Sequence, residues 1–551
     1  MSERVSASPA APGSRAGVHT RPGSGRQGGL PEWWPLAALM VLAAALRFST
    51  LDLQSFWYDE AFTPVHVLRA SLFTTLHGMV HTENTPPLWY VLEWGISRVL
   101  GTGEVALRLL SAFAGLATVP VAWAIGRELS GRRATAIASA ALVAVDPLFV
   151  WYSQEARAYG LFVLAAALAM LCFARACAEP SSRRLALFAV TASLALLTHY
   201  FAVFLLIPMI VWLLLASLRP RSFHGVQATP ARVDDRMGGG GLRNETVGAE
   251  PAPAGRRAAL FTCAAVAVVG FALIPLAVAQ GGHGSQWIGA WALSSRLQAI
   301  PQYYLTGYSG APLGHGIELL VALPIIAGVG LGLWRVLAPR EERGALIALV
   351  LAACGVLLPI VLVALGADYL APRNLIAAMI PVTALIAILL TGVRAGCAGP
   401  VLAGVVALAF FAISIDVDLS PRLQRGDWRG VARMLRAGNR ARAITTVELG
   451  AAPLEYYLPP LRNLPRGTAV TVSEIDETGY APLRSSAASP PAPGFRLLSR
   501  SDINGLIVYR FVSSTPRSVS EATLRRHVIT VAHPEVLVPS SLQTSSDREK
   551  I

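Results

Sequence analysis

The sequence predicts a mainly α-helical membrane protein, in which a polytopic bundle of transmembrane helices is followed by a small C-terminal α/β domain. Three observations predict this fold class. Mean hydropathy over the chain is +0.52. Charged residues make up 14% of the 551 residues, whereas soluble domains carry about 25%. Apolar runs of nearly membrane-spanning length recur as far as Ile415, and the chain beyond that residue is polar.

The apolar runs predict the individual spans. Because a helix needs about 20 apolar residues to cross a bilayer, we expect about eleven spans in residues 34–415. They are Pro35–Ser49, Val105–Ile125, Thr135–Val150, Tyr159–Ala178, Leu185–Thr198, Tyr200–Leu218, Ala258–Ala279, Leu313–Leu337, Ala345–Leu365, Asn374–Leu390 and Val401–Ile415. Arginine pairs flank residues 185–218 on both sides, which favours two helices there, joined by a tight turn at "LTHYF".

Arginine-rich loops indicate the side of the membrane on which each loop lies. The loops on the same side as the arginine-bearing N-terminus are 127–133, 175–184, 219–257, 335–343 and the loop at Arg394. The positive-inside rule assigns that side to the cytoplasm. We therefore expect a multi-pass protein of the cell (plasma) membrane, with a disordered cytoplasmic tail over 1–33 and a flexible cytoplasmic loop over 219–257. The net charge of +13 is then explained by these loops, and no nucleic-acid partner is predicted.

Residues 416–551 predict an extracytoplasmic soluble domain with a loose tail. "RGDWRGVARMLRAG" has the pattern of a basic amphipathic helix. Four segments are rich in β-branched residues and predict strands: "AITTVEL", "AVTVSEI", "GLIVYRFV" and "HVITVAH". Together they indicate a small α/β domain.

The predicted outer face collects aromatic, acidic and single basic residues. They occur in "SFWYDEAFTP", "HTENTPPLWY", "WYSQEARAYG", "LTHYF" and "DYLAPRN". Interfacial anchoring explains the Trp and Tyr residues. It does not explain ionisable residues close to span ends, which are costly in lipid and usually functional. We therefore expect chemistry near the outer leaflet.

The first outer loop, residues 51–104, holds the strongest candidates. Asp59 and Glu60 follow the first span among aromatic residues, Trp57 and Tyr58 included. A carboxylate in such surroundings can act as a general base near neutral pH. The alternative is a pair of acids at a helix N-terminus, stabilised by the helix dipole.

The second half of that loop contains His81 and Glu83, followed by a Pro-Pro pair and an apolar stripe over residues 88–100. The stripe is too short to span and predicts an interfacial helix lying on the membrane. Two residues are a weak signal for a metal site, and a plain polar loop is the simpler interpretation.

Further candidates lie at other outer span ends. Arg157 could bind a phosphate with two nitrogens, or could snorkel and pair with Glu155. "DYLAPRN" places Tyr369 and Arg373 just outside another span, again a potential phosphate contact. His199 in the "LTHYF" turn is by itself more typical of a packing residue.

These motifs, taken in order, resemble the GT-C membrane glycosyltransferases. The resemblance rests on "SFWYDEAFT", "ENTPPLWY", "ALRLLSAFAGLATVPVAWAIGRELSGRRA", "DPLFVWYSQEARAYGLFVLAAAL" and "LALLTHYFAVFLL". The resemblance covers roughly Trp34 to Arg219. Within the GT-C enzymes, the motifs are most similar to those of protein O-mannosyltransferases, aminoarabinose transferases and bacterial mannosyltransferase-like proteins. One departure is Thr85, where relatives often have histidine before the Pro-Pro pair, so a histidine-dependent metal site is in doubt.

The resemblance implies transfer of a sugar, mannose or another hexose or pentose, from a polyprenyl-phosphate-linked donor to a glycan, lipid or protein acceptor. A phosphate is already a good leaving group, so the reaction needs a base and cations rather than a general acid. No cofactor is certain, and a divalent cation remains an option. The implied catalytic residues are Asp59 as the base, Glu60 and Glu83; the implied substrate-binding residues are Trp57, Tyr58, Glu155, Arg157, His199, Tyr369 and Arg373.

The rival interpretation is a secondary transporter of a polar or lipid-linked substrate. Transporters usually combine paired repeats with a substrate site at the bilayer midplane. In this sequence the charged residues cluster at one face, and we find no internal repeat. A non-catalytic membrane scaffold would not need the ordered acid and arginine motifs.

Overall fold

The computed structural model describes residues 33–218, 252–282, 286–307, 315–334, 337–436, 438, 440–448, 450–530 and 533–543. Helices follow one another as far as residue 419. They are α1 Trp34–Phe48, α2 Tyr58–Phe62, α3 Leu72–Thr82, α4 Leu88–Leu100, α5 Glu104–Ser130, α6 Arg133–Val145, α7 Pro147–Ser153, α8 Tyr159–Ala178, α9 Ser182–Thr198, α10 Val203–Leu218, α11 Ala252–Ala279, α12 Gln286–Ala290, α13 Leu293–Thr306, α14 His315–Trp334, α15 Pro339–Ala364, α16 Met379–Thr391 and α17 Ala398–Leu419. A π-helical turn, Thr63–Val67, follows α2, and a 3-10 segment, Pro372–Ala378, precedes α16.

Every predicted span overlaps one of these helices, so the predicted helical bundle is confirmed. Among the described residues, seven helices are long and apolar enough to cross a membrane, and α6 with α7, bent by 54° at Asp146, would be an eighth. The helices α1 and α9 have 15 and 17 residues. The count of about eleven crossings therefore stays a prediction. The segment 185–218 is two helices that meet at His199, as expected.

Two predicted flexible segments lie mostly outside the described residues. These are the tail over 1–33 and the part of the cytoplasmic loop over 219–251. Residues 252–257 belonged to the same predicted loop, but they are helical, because α11 already starts at Ala252. The stretch "APAGRRAA" is rich in alanine, the strongest helix former, so the helix extends back beyond its apolar run.

The long helix α5 packs along α6 and α8. Small residues make these approaches close. A methyl group added to Gly160 would lie 3.0 Å from the carbonyl oxygen of Ser111. Such small-residue contacts are typical of helix packing in membranes. Since Gly160 lies in the first turn of α8, this contact fixes residues 155–157, just before it, against the outer end of α5.

Beyond α17 the chain forms the predicted α/β domain. Its helices are α18 Trp428–Arg436, α19 Ala451–Tyr457 and α20 Glu521–Arg526, and its strands are β1 Arg442–Val447, β2 Leu461–Asn463, β3 Ala469–Gly479, β4 Arg496–Ile503, β5 Leu506–Ser520 and β6 Pro534–Pro539. The sheet order is β2-β6-β1-β3-β5-β4. β1 and β3 are parallel, and the other pairs are antiparallel. The predicted amphipathic helix is α18, and three of the four predicted strands are β1, β3 and β5.

The fourth predicted strand, "HVITVAH", is wrong. Its described residues form no strand, and Thr530 makes a single bridge to Leu483. Val528 and Ile529 are nevertheless buried, because this segment is the connection that enters the domain core after α20. The strand β6 begins directly afterwards at Pro534. A short apolar run cannot by its periodicity distinguish a buried connection from a strand.

The C-terminal domain docks onto the first outer loop. The Ser55 hydroxyl accepts a hydrogen bond from the Trp428 amide at 3.0 Å and donates to the Gly426 carbonyl oxygen at 3.1 Å. On the other side of the loop, the Phe56 amide donates to the Tyr457 hydroxyl at 2.8 Å. These contacts place the start of the domain directly over the loop that carries Asp59.

Candidate active site

The short helix α2 places Asp59 and Glu60 in its first turn, directly after the extended residue Trp57. Neighbouring residues on a helix point about 100° apart, so the two carboxylates separate. Glu60 is fully buried, whereas the Asp59 side chain is 19% exposed. The Tyr58 ring lies 4.5 Å from the Trp57 ring. The helix dipole does stabilise acids at this position, but their different contacts give the two carboxylates different roles.

Glu60 is the centre of a buried ion-pair network. Its two carboxylate oxygens accept hydrogen bonds from Nε and Nη2 of Arg108, both at 2.8 Å, and Oε1 also accepts from the Ala156 amide at 2.9 Å. Arg108 Nη1 donates to the carbonyl oxygens of Leu51 and Gln54 at 2.7 and 2.8 Å. Burial would raise the pKa of Glu60, but the guanidinium groups beside it hold that pKa below its usual value. The network ties the first outer loop to α5 and to the α7–α8 connection.

A second arginine, Arg425, enters this network from the segment between α17 and α18. Its Nη2 donates to Glu155 Oε2 at 2.9 Å, and its Nη1 lies 3.7 Å from Glu60 Oε2. The guanidinium carbon lies 4.3 Å from the ring centre of Trp151 and 5.7 Å from that of Trp57. Burial raises the pKa of Glu155 to about 7. The polar domain thus contributes a cation to the interior of the site.

Two further ion pairs lie at the rim of the site. Arg373 Nη1 donates to Asp59 Oδ2 at 2.8 Å. Arg157 binds both carboxylate oxygens of Glu83, at 3.2 and 3.0 Å, and its Nη1 lies 3.4 Å from the Asp59 carbonyl oxygen. Arg157 therefore pairs with Glu83, and the alternative pairing with Glu155 is wrong. The reason is that the α7–α8 connection turns Glu155 inward to Arg425 and Arg157 outward.

Other predicted residues lie around this centre. The His199 ring stacks on Phe162 at 4.7 Å, and its Nδ1 accepts a hydrogen bond from the Phe201 amide at 3.2 Å. These contacts are those of a packing and capping residue. Tyr369 is 41% exposed and its carbonyl oxygen accepts from the Asn374 side chain at 3.0 Å. The structure thus brings Asp59, the two predicted arginines and Glu83 together, with His199 and Tyr369 outside these ion pairs.

Three buried arginines of this region are missing from the sequence predictions. Arg108 lies in the predicted span 105–125, and a charge inside a span is a signal that could have identified it. Arg296 binds both carboxylate oxygens of Asp368, at 2.6 and 2.7 Å, and holds α13 to the loop before residue 373. Arg425 lacks any local signal, because its partner is 270 residues away in sequence.

A divalent cation does not fit this arrangement of side chains. Asp59 and Glu83, the two acids at the rim, each bind a guanidinium group. Thr85 hydrogen-bonds the Tyr90 hydroxyl at 2.9 Å. Within the described parts of the chain, no group of three or more His, Cys, Asp or Glu side chains could hold a metal ion. The arrangement instead offers one accessible carboxylate between two arginines.

Comparisons with known proteins agree with the motif pattern. Residues 84–228 match the family described as dolichyl-phosphate-mannose-protein mannosyltransferase. No curated protein matches the chain in sequence at a significant level. The fold is similar to that of ArnT from Cupriavidus metallidurans. The structure of ArnT bound to undecaprenyl phosphate is 12% identical, with a TM-score of 0.50, over 87% of this chain and 98% of ArnT.

The apo structure of the same ArnT is 11% identical, with a TM-score of 0.51, over 86% of this chain and 97% of ArnT. The fold therefore matches along nearly the whole of ArnT. The family match falls on the segment that carries Arg108 and Arg157, and together with the fold it makes the chain similar to the GT-C membrane glycosyltransferases.

Proposed function

We propose that the chain moves a sugar from a polyprenyl-phosphate-linked donor to a hydroxyl or amine of a glycan, lipid or protein acceptor, at the outer face of the cell membrane. The observation that carries the proposal is the contact between Asp59 and Arg373 beside the pair of Arg157 and Glu83. A partly exposed carboxylate and two guanidinium groups lie together at one rim, which supports a proton acceptor beside a phosphate site. The ArnT structure with undecaprenyl phosphate supports a lipid-phosphate donor.

In the proposed reaction Asp59 is the general base. It removes the proton of the acceptor hydroxyl or amine as that group attacks the anomeric carbon. The bond between this carbon and the phosphate oxygen breaks, and the electron pair stays on the phosphate. Arg157 and Arg373 bind the phosphate, since guanidinium forks match phosphate oxygens. Attack opposite the leaving group inverts the anomeric carbon.

The remaining predicted residues support these groups. Glu60 holds the loop through Arg108, and Glu83 orients Arg157 and the acceptor. Trp57 and Tyr58 offer ring faces to the sugar or to the lipid. His199 and Tyr369 contact the substrate from outside the ion pairs. Glu155 is fully buried behind Arg425, so its effect on substrate binding is indirect.

The test is transfer by purified protein in lipid nanodiscs, with a synthetic polyprenyl-phosphate sugar as donor. Asp59→Asn keeps the shape of the side chain but cannot accept the proton, so turnover should fall by about 10²–10⁴-fold. The matched control is Asp52→Asn, an exposed acid of the same loop, which should keep its turnover. Near-wild-type turnover of Asp59→Asn would show that Asp59 is not the base. Mass spectrometry of glycolipids and glycoproteins from a deletion strain would identify the sugar and the acceptor.

A further inference from the structure

Among the described residues at the rim of the site, each positive charge has an acid beside it. Asp59 and Glu83 balance Arg157 and Arg373, with nitrogen–oxygen distances of 2.8 Å in one pair and 3.0 Å in the other. The buried network behind it pairs the acids Glu60 and Glu155 with the guanidinium groups of Arg108 and Arg425. An anionic donor that binds Arg373 therefore competes with Asp59 for the same guanidinium group.

The reaction itself changes the charge of one rim group. The donor is a phosphodiester with one negative charge, and the product is a phosphomonoester that gains a second. Over the same step Asp59 takes the acceptor's proton and loses its negative charge. The total charge of the site is unchanged, but one unit of negative charge moves from Asp59 to the phosphate.

We propose that Arg373 is handed over from Asp59 to the lipid phosphate during this step. The inference rests on the proposed function and deepens it, because it couples proton removal to departure of the leaving group. In the resting site Arg373 neutralises the base. As the proton arrives on Asp59, the attraction between the two side chains falls, and the new phosphate charge attracts the same guanidinium.

The contacts single out Arg373 rather than Arg157. The partner of Arg157 is Glu83, an acid that keeps its charge through the reaction and binds with both oxygens. Asp59 is the one rim acid whose charge disappears. The Arg373 and Asp59 side chains are also 18% and 19% exposed, whereas Glu60 and Arg108 in the network behind them are 0% and 1% exposed. The rim pair can therefore rearrange at lower desolvation cost.

Removing the carboxylate of Asp59 should raise the affinity of the protein for the lipid phosphate. With the competing carboxylate removed, Arg373 meets the phosphate without losing an ion pair. Asp59→Asn should therefore bind undecaprenyl phosphate at least about tenfold more tightly than wild type, a change that a partly exposed charge at contact distance readily produces. Affinity is measured on the full-length protein in nanodiscs, with Asp59→Ser as a second variant that also lacks the charge.

The matched control is Glu179→Gln, which also removes one negative charge from an ion pair, here with Arg184. This pair lies at the far end of the 20-residue helix α8, about 30 Å from the site. Its affinity should equal that of wild type. Equal or weaker binding by both Asp59 variants would overturn the handover. In an Arg373→Met background Asp59→Asn should no longer tighten binding, and tightening that persists there would show that Arg373 is not the group transferred.

These outcomes separate the two proposals. A wild-type protein that fails to bind undecaprenyl phosphate would refute the lipid-phosphate donor, and the handover with it. An Asp59→Asn variant that loses turnover without gaining affinity would refute the handover alone and leave Asp59 as the base.

Discussion

Replacing Arg425 by methionine should loosen the contact between the C-terminal domain and the first outer loop. The side chain is 3% exposed and lies 2.9 Å from Glu155 and 3.7 Å from Glu60. Methionine fills a similar volume but leaves two buried acids beside a single cation, Arg108. Removing one partner of a buried pair costs about 3–5 kcal/mol. Because burial raises the pKa of Glu155 to about 7, this acid can take up a proton, so we expect about 3 kcal/mol, the lower end of that range.

The assay combines thermal unfolding in nanodiscs with transfer from the lipid-linked donor. Arg425→Met should lower Tm and turnover together, since Glu60 loses part of the network that orders the loop of Asp59. Adding Glu155→Gln to Arg425→Met should recover part of both, because it removes the uncompensated charge. Arg433→Met is the control on the same domain. Its side chain is 71% exposed and lies 3.9 Å from Asp427, so its effect should be within about 0.5 kcal/mol.

Two results would refute this reasoning. One is an Arg425→Met protein with the Tm and turnover of wild type, which would mean that the domain contributes nothing to the interior of the site. The other is a double variant less stable than Arg425→Met, which would mean that lost packing rather than buried charge causes the defect.

Three further predictions follow from the structure. Arg157→Lys and Arg373→Lys should each weaken donor binding and turnover at wild-type expression, because lysine loses the bidentate fork; unchanged affinity in both would contradict the phosphate assignment. A reporter fused to the C-terminus should be active only outside the cytoplasm, and cytoplasmic activity would reverse the predicted orientation. The hydrogen bond to Glu477 raises the pKa of His527. His527 therefore contributes stability that is fully present below about pH 6.5 and is lost as pH rises through its folded pKa. His527→Gln should flatten this fall in Tm, measured by unfolding scans over that range, and an unchanged pH slope would show that another group causes it.

The helical bundle and the residues worth testing could be predicted from local patterns in the sequence. Helices in a membrane depend on local apolar length, so every predicted span overlaps a helix. Loop charge and span order predicted that Asp59, Glu83, Arg157 and Arg373 lie at one face, and the structure brings these four together. The ordered motifs already indicated the likeness to the GT-C glycosyltransferases, because they lie within contiguous segments.

Which charges form ion pairs could not be predicted from local patterns. Asp59 and Arg373 are 314 residues apart, and Glu155 and Arg425 are 270 apart. From the sequence, the one ion pair considered as an alternative joined the near neighbours Glu155 and Arg157, because local spacing is all that a pattern contains. An ion pair depends instead on how the α7–α8 connection turns and on where the C-terminal domain docks. Both are set by packing between distant segments, which leaves no signal near either partner.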